Sequence, residues 1–322
     1  MKAIQIQHTG APEVMRMADV ERPLPGPGEA LVRVQAVGIN YIDVYYREGR
    51  YKASLPLTLG IEGAGTIEEL GKGVTSFRVG ERVAWCMYLG AYAEYAAVPE
   101  RHLVHVPDKL DIEQAAGALL QGMTAHYLTR STYPLRAGET ALVHAAAGGV
   151  GLLLTQMASQ IGARVLATVS SEEKALLAQQ AGAHEVIRYD EQDFVAEVKR
   201  LTDGHGVDVV YDSVGKDTFL NSLHCLRPRG MMVLFGGSSG IVPPFEPIDL
   251  SLLGSLYLTR PSLAHYTQTR EELDWRAGEI YTSLISGNLK LRIEQRYPLA
   301  EVVRAHQDLE SRKTTGKGLL IP

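Results

Sequence analysis

The sequence predicts an α/β protein with a β-rich N-terminal domain followed by a doubly wound parallel sheet. Three observations predict it. The first 120 or so residues carry short apolar–polar alternations punctuated by Gly and Pro. From Thr140 onward, strand-like and helix-like segments alternate strictly. A Gly/Ala-rich loop, Ala145-Ala146-Ala147-Gly148-Gly149-Val150-Gly151, stands at the first strand-to-helix junction of that alternation. Strands separated by helices of about 10–15 residues indicate βαβ units and a parallel sheet.

The elements follow in order. Ala30–Val37 (ALVRVQAV) alternates apolar and polar positions, as a half-buried strand does. Glu81–Ala84 and Gly90–Val98 read as further strands, and Pro23–Gly28 as neither helix nor central strand. Residues 111–133 read as helix with Asp111 as N-cap. Then come strand Thr140–Ala145, helix Val150–Ile161, strand Arg164–Val169, helix Glu172–Ala181 and strand Glu185–Tyr189. Helix Glu191–Thr202, strand Val207–Tyr211, helix Thr218–Cys225 and strand Met231–Gly236 continue the series. Ser255–Leu258 adds an edge strand. After residue 260 the alternation stops. Two amphipathic helices (270–287 and Arg304–Arg312) and a closing strand Gly318–Ile321 remain. This tail is too short to fold alone and is expected to return to the N-terminal domain. The division is therefore 1–122, 123–260 and 261–322.

Composition narrows the function. Of 322 residues, 45% are hydrophobic and 21% charged, as in ordinary globular proteins. A net charge of −5 without a basic stripe argues against a dedicated nucleic-acid or anionic-membrane binder. Two cysteines, Cys86 and Cys225, can build neither a disulfide framework nor a Cys-rich zinc site. The N-terminus lacks the apolar core of a secretory signal, and no run of about 18 uncharged apolar residues occurs. The expectation is a cytoplasmic protein.

The glycine loop carries the strongest signal. It follows a buried strand (TALVHA) and opens a helix (VGLLLTQMASQIG), the context of a dinucleotide fingerprint. Gly148 lets the backbone approach a pyrophosphate, and Gly151 lets the helix pack close to the strand. The helix N-terminus offers N–H groups and a positive dipole end. Ala146 stands where the usual pattern has its first glycine. At the end of the second strand an NAD site would carry Asp or Glu. Ser170 and Ser171 stand there instead, with Lys174 four residues past Ser170, and these suit the 2′-phosphate of NADPH. Glu172 and Glu173 would repel that phosphate unless they point to solvent. The plainer alternative makes Ser170 an N-cap and Lys174 a solvated helix residue.

The stretch Gly138–His144 running into Ala145–Gly151 resembles the signature of the quinone oxidoreductases. These are the zeta-crystallin-like, zinc-free branch of the medium-chain dehydrogenase/reductase family. Further matches span the chain: Gly10–Val14, GINYIDVYYREGRY (38–51), GIEGAG (60–65), YDSVG (211–215), LFGGSSG (234–240) and LYLTRPSL (256–263). The resemblance implies a GroES-like catalytic domain closed by the C-terminal tail, a Rossmann domain between, and a cleft joining them. It implies hydride transfer from NADPH to a quinone. It also implies coenzyme contacts. Asn40, Tyr41, Ile42, Asp43, Val44 and Tyr45 would form a loop over the nicotinamide, with Asn40 a polar anchor. Thr124 and Tyr127 would contact it from the helix entering the Rossmann domain. Gly148, Gly149 and Val150 would hold the pyrophosphate, and Ser170, Ser171 and Lys174 the 2′-phosphate. Tyr189 would lie beside the adenosine, while Ser213, Phe235, Gly236, Gly237 and Ser238 would frame the nicotinamide. Arg312 matches a basic position on the returning tail. Tyr45 and Tyr51 would line the cleft and position substrate. Each has a plainer alternative: tyrosines in packing, Asn40 capping a turn, Ser213 bonding backbone, Phe235 in the core.

Zinc-dependent relatives carry Gly-His-Glu where this chain has Gly60-Ile61-Glu62, so Ile61 occupies the ligand position. A catalytic zinc needs about three protein ligands, and the expectation is no metal. A hydroquinone oxygen needs a proton from a tyrosine, a threonine or water. Two rival readings stand: an enone or enoyl reductase on the same scaffold, and a coenzyme-binding protein with a structural or RNA-binding role. A homodimer through the edge strand near Ser255–Leu258 is the expected assembly.

Overall fold

The computed structural model describes residues 1–312 and 314–322. They form two compact units, Met1–Met123 with Thr267–Pro322, and Thr124–Tyr266. The N-terminal and C-terminal stretches therefore share one unit.

The first unit begins with β1 (Lys2–Ile6), β2 (Arg16–Asp19), β3 (Glu29–Gly38), α1 (Tyr41–Arg47) and β4 (Leu57–Thr58). It continues through β5 (Glu62–Leu70), β6 (Arg82–Cys86), β7 (Tyr95–Pro99) and β8 (Leu103–His105). In β3 only Arg33 and Gln35 are exposed, so the alternation seen in the sequence holds at mid-strand while both ends are buried. The burial follows from its neighbours, because β5, β7 and the C-terminal strand all pair with β3. Helix α2 (Ile112–Tyr127) starts where Asp111 accepts hydrogen bonds from the N–H groups of Glu113 (2.8 Å) and Gln114 (3.3 Å). It ends four residues before Ser131 and passes into a wider turn, Leu128–Thr132, so the helix is shorter than the sequence suggests.

The second unit holds β9 (Thr140–Val143), α3 (Gly149–Ile161), β10 (Arg164–Val169), α4 (Glu172–Gln180) and β11 (Glu185–Arg188). Then come α5 (Phe194–Leu201), β12 (Val207–Asp212), α6 (Phe219–Leu223), β13 (Leu226–Leu234), α7 (Ile248–Leu252) and β14 (Tyr257–Thr259). Their order in the sheet is β11-β10-β9-β12-β13-β14, and every pairing is parallel. The chain winds outward from β9 to β11 on one side and from β12 to β14 on the other. The reversal lies between β9 and β12, the place where such sheets bind ligands. Near-continuous burial along β10 and β12 is what helices on both faces require. Two elements of this unit start three or more residues from their expected positions. Helix α5 starts three residues later than predicted because Asp193 caps it, accepting from Val195 and Ala196. Strand β13 starts at Leu226, five residues early, because a register shift lets β12 carry its pairing back past Pro228.

The chain then re-enters the first unit through α8 (Arg270–Ile285), β15 (Ile293–Pro298), α9 (Val302–Glu310) and β16 (Lys317–Ile321). Strand β16 pairs antiparallel with β3, Leu319 opposite Gly38 and Leu320 opposite Val37. Leu320, Tyr297, Leu299 and Val302 join Val32, Val37, Ile67, Trp85 and Tyr92 in the core of this unit. The core of the second unit gathers Leu142, Leu166, Ile187, Val210, Phe219 and Met232.

Candidate coenzyme and substrate site

Because all six strands of the second unit are parallel, their C-terminal ends share one edge. The loop Ala145–Gly148 follows β9, Ser170 and Ser171 follow β10, Tyr189 follows β11, Ser213 follows β12, and Phe235–Ser238 follow β13. The topology therefore brings these predicted residues to one side of the sheet. Gly148 is the N-cap of α3, so the helix starts at Gly149. The first-turn N–H groups of a helix have no intrahelical acceptor, and here they belong to Gly149, Val150 and Gly151. A Cβ on Gly151 would lie 2.3 Å from the Ala145 carbonyl oxygen, so only glycine allows this approach of helix to strand. Ala145 adopts φ 51, and Ala146 is fully buried. The turn is thus made at Ala145, which explains why the missing first glycine is tolerated. Gly149 and Val150 offer a pyrophosphate backbone donors at a positive helix end, and Gly148, whose own N–H donates to the Ala145 carbonyl at 2.9 Å, keeps the approach clear of a side chain.

At the second strand end, Ser171 caps α4, its hydroxyl accepting from the Lys174 N–H at 3.4 Å. Lys174 Nζ donates to Ser170 Oγ at 3.3 Å. One serine is a cap, though Ser171 rather than the expected Ser170, and the Lys174 ammonium leans over Ser170. Tyr189 is 46% exposed beside them. Ser213 and the following strand end are knitted together. The Phe235 N–H donates to the Asp212 carbonyl (2.8 Å) and the Ser238 N–H to the Ser213 carbonyl (3.1 Å). A Cβ on Gly236 would meet the Ser213 carbonyl oxygen at 2.4 Å. Phe235 and Gly237 are half-buried, and Phe235 is outside the core cluster.

Sequence reasoning missed what ties these loops down. His144 is buried, with Nδ1 2.8 Å from Thr168 Oγ1 and Nε2 2.9 Å from Ser222 Oγ. Burial holds its pKa below the usual histidine range. Asp212 is fully buried; it accepts from the Val214 and Gly215 N–H groups (2.7 and 3.0 Å) and from Thr218 Oγ1 (2.7 Å). One imidazole therefore links the ends of β9, β10 and α6. Its only sequence signal was its place just ahead of the glycine loop.

In the first unit, residues 41–45 are not a loop. They form the start of α1, capped by Asn40 in extended conformation, and the Asp43 carboxylate accepts the Asn40 N–H at 2.9 Å. An acidic residue in the first turn and Arg47 in the last suit the helix dipole, a signal that was legible in the sequence. Asn40 does not present its amide outward. Nδ2 donates to the Gly38 carbonyl (3.0 Å) and Glu62 Oε2 (2.8 Å), and Oδ1 accepts from Lys317 Nζ (2.8 Å). Tyr45 is 8% exposed and Tyr51 40%. Their rings meet edge-on at 5.6 Å, with Tyr41 and Tyr46 against the same cluster. Ile42 is half-buried and Val44 buried. Burial raises the Tyr41 and Tyr46 hydroxyl pKa values. Arg312, in the left-handed region at φ 59, is exposed, and its charge acts on Tyr41.

Behind α1 lies a buried polar chain. Tyr92 Oη donates to Asp43 Oδ2 (3.0 Å) and faces His306 Nε2 (3.0 Å), whose Nδ1 faces Arg47 Nη1 (3.1 Å). Arg47 Nη2 donates to Glu310 Oε2 at 3.0 Å. Burial pushes Asp43 up to about 7 and His306 down to about 3. In the second unit, Thr124 is buried, and Tyr127 is buried and stacked on Tyr266 at 4.3 Å. Ile61 is 1% exposed. Among the described residues no group of three or more His, Cys, Asp or Glu side chains is placed to hold a metal ion.

Two family models match the chain: an alcohol dehydrogenase GroES-like domain over residues 26–108, and a zinc-binding dehydrogenase over residues 149–276. A quinone oxidoreductase of Pseudomonas aeruginosa is 50% identical, the match covering 100% of this chain and 99% of that one. A 2-haloacrylate reductase of a Burkholderia species is 42% identical over 99% and 98% of the two chains. Among solved structures, Escherichia coli quinone oxidoreductase complexed with NADPH superimposes with a TM-score of 0.98 at 44% identity over 100% of both chains.

Proposed function

The chain belongs to the quinone oxidoreductase family of medium-chain dehydrogenases/reductases, and from that premise we propose how its residues carry out NADPH-dependent quinone reduction. Bound NADPH supplies the hydride, and a quinone, already a strong electrophile, needs no Lewis acid to accept it. The chain's own work is binding, orientation and proton supply. Gly149 and Val150 would receive the pyrophosphate on backbone N–H groups, and Gly148 would let it approach the backbone, its own N–H being given to the Ala145 carbonyl. Ser170, Ser171 and Lys174 would receive the 2′-phosphate, with Tyr189 beside the adenosine. Ser213, Phe235, Gly236, Gly237 and Ser238 bound the nicotinamide. Thr124, Tyr127 and Arg312 complete the coenzyme contacts. Asn40 acts indirectly, by fixing the start of α1. Tyr45 and Tyr51 orient the quinone, and the exposed Tyr51 hydroxyl or water supplies the proton.

The observation that supports this most strongly is the gathering of the glycine loop, both serines and Lys174 along one sheet edge without a carboxylate at the end of β10. The experiment is a panel of quinones and enones with NADPH and NADH, scored by kcat/KM. Quinones with NADPH should lead. Preference for an enone would favour the second reading, enone reduction. That reading is supported by the 42% identical 2-haloacrylate reductase, since haloacrylates and quinones share a conjugated carbonyl. RNA binding is disfavoured by the net charge of −5.

Assembly as a homodimer through β14 fits an edge strand flanked by exposed Ile248, Leu252 and Tyr257. A cytoplasmic location fits two buried free cysteines and the absence, among the described residues, of any helix long and apolar enough to cross a membrane.

A further inference from the structure

We propose that Arg188 is a coenzyme-specificity residue: it holds Glu172 and its acidic neighbours away from the 2′-phosphate of NADPH and offsets their charge. The inference rests on the placement of that phosphate at Ser170, Ser171 and Lys174.

The argument starts from an excess of negative charge at a site that must take an anion. Around the end of β10 the chain places Glu172 and Glu173 in the first turn of α4, and Asp190 and Glu191 just past β11. Against these four carboxylates stand Lys174 and Arg188, giving 2 − 4 = −2. Such a surface repels a dianionic phosphate unless the carboxylates are engaged elsewhere.

Arg188 engages three of them. Its Nη1 lies 3.4 Å from Glu172 Oε2, and its Nη2 lies 2.9 Å from Asp190 Oδ2 and 2.6 Å from Glu191 Oε1. The reach is built into the sheet. Arg188 pairs in register with Val169, so it stands where β10 gives way to Ser170, and the Tyr189 N–H donates to the Val169 carbonyl at 3.1 Å. The Arg188 fork therefore draws the Glu172 carboxylate toward β11, while Lys174 turns its ammonium to Ser170.

Stability does not account for this cluster. Glu172 is 72% and Glu191 59% exposed in these pairs, and exposed ion pairs contribute little to folding. Arg188 Nε is shielded from solvent and makes no hydrogen bond, a cost that an arrangement serving stability alone would avoid. A guanidinium beside the serines makes sense as a local charge correction, which works over a few ångströms and is screened by salt.

The test measures binding as well as turnover. Dissociation constants are taken for NADPH, NADH, 2′,5′-ADP and 5′-AMP, at low and high salt, in wild type, Arg188→Gln, Arg188→Lys, Lys174→Ala and Arg188→Gln/Glu172→Gln. Arg188→Gln should weaken NADPH and 2′,5′-ADP about 3- to 10-fold at low salt, the size of one unit charge at a partly screened distance. NADH and 5′-AMP should be unchanged. Arg188→Lys should retain most of the affinity, and adding Glu172→Gln should restore part of what Arg188→Gln loses. Equal weakening of phosphorylated and unphosphorylated ligands, or no change in any, would overturn the proposal. If Arg188→Gln has no effect but Lys174→Ala selectively loses 2′,5′-ADP, the specificity role fails and the phosphate placement stands. If neither variant separates 2′,5′-ADP from 5′-AMP, the placement itself fails.

Discussion

Lys317 Nζ lies 2.7 Å from Glu62 Oε2, and neither side chain reaches solvent. The pair joins β16, the last strand of the chain, to β5. Asn40 bonds to both members, and Glu62 Oε1 accepts the Leu120 N–H at 2.6 Å. Glu62 is also the residue after Ile61, in the segment where zinc-dependent relatives carry their motif. Here the carboxylate serves a buried ion pair.

Removing one partner of such a pair leaves an uncompensated buried charge, at a cost of about 3–5 kcal/mol. Lys317→Met should lower unfolding stability by that amount. Adding Glu62→Gln should recover part of it, because the stranded charge is gone while the amide still accepts from Leu120. Denaturant melts of the two singles and the double complete the cycle. Additive losses would mean the two residues act independently.

The chain from Asp43 to His306 predicts opposing pH slopes. Burial lowers His306 from 6.5 to about 3, so its contribution is present above 6.5 and is lost as pH falls from there toward 3. Burial raises Asp43 from 3.8 to about 7, so its contribution is present below 3.8 and is lost as pH rises through 7. Between pH 7.5 and 5 each changes stability by about 2 kcal/mol, in opposite directions. Wild type should be nearly flat over that window as far as these two groups go. Asp43→Asn should lose stability on acidification, and His306→Gln should gain it. Parallel slopes in the two variants, measured by thermal or urea melts, would refute the assignment.

A catalytic role for Tyr45 and Tyr51 can be separated from packing by removing only a hydroxyl. Tyr51→Phe should lower kcat with quinone, while coenzyme affinity and stability stay close to wild type, since this ring is exposed and keeps its edge contacts to Tyr45 and Tyr46. Tyr45→Phe should act mainly on quinone KM. If both variants match wild type in kcat and KM, the tyrosines are packing and water delivers the proton.

Chelation should leave turnover unchanged. The reason lies in the chain's own residues: a buried Ile61 at the position of a ligand, and an adjacent Glu62 committed to Lys317. Prolonged dialysis against a chelator followed by a quinone assay checks it. Loss of activity restored by zinc would overturn this reading.

What the sequence disclosed was local. The glycine loop, the β-α alternation and the Asp111 cap are encoded within a few residues of one another, and the strand Arg164–Val169 has the predicted ends. Some misjudged limits depend on remote partners: β13 begins early because β12 pairs with it, and β3 is buried toward both ends where β5 and β7 pair with its first half and β16 with its last residues. The same holds at the site. The Ser170–Lys174 contact spans four residues and was readable. The Asn40–Glu62–Lys317 and His144–Thr168–Ser222 links span up to 277 residues, and no local pattern announces them. The start of α1 is also encoded locally, since Asn40 followed by Asp43 three residues later is a capping signal.

The coenzyme assignment meets its sharpest test at Lys174. The end of β10 carries no carboxylate for a ribose diol, and the ammonium stands 3.3 Å from Ser170 Oγ. A hydrogen bond to a charged group contributes about 1.5–3 kcal/mol. Lys174→Ala should therefore weaken NADPH binding by roughly 10- to 150-fold, since about 1.4 kcal/mol is tenfold. Screening of a half-exposed site pulls the effect toward the lower figure, and it should shrink further with added salt. NADH carries no 2′-phosphate, so its kcat/KM should hardly move. The Ser171 cap accepts from the Lys174 backbone N–H, which alanine keeps, so helix α4 should survive and the melting temperature should change little. Equal losses for both coenzymes would make Lys174 structural. A wild type that works better with NADH would overturn the 2′-phosphate site altogether.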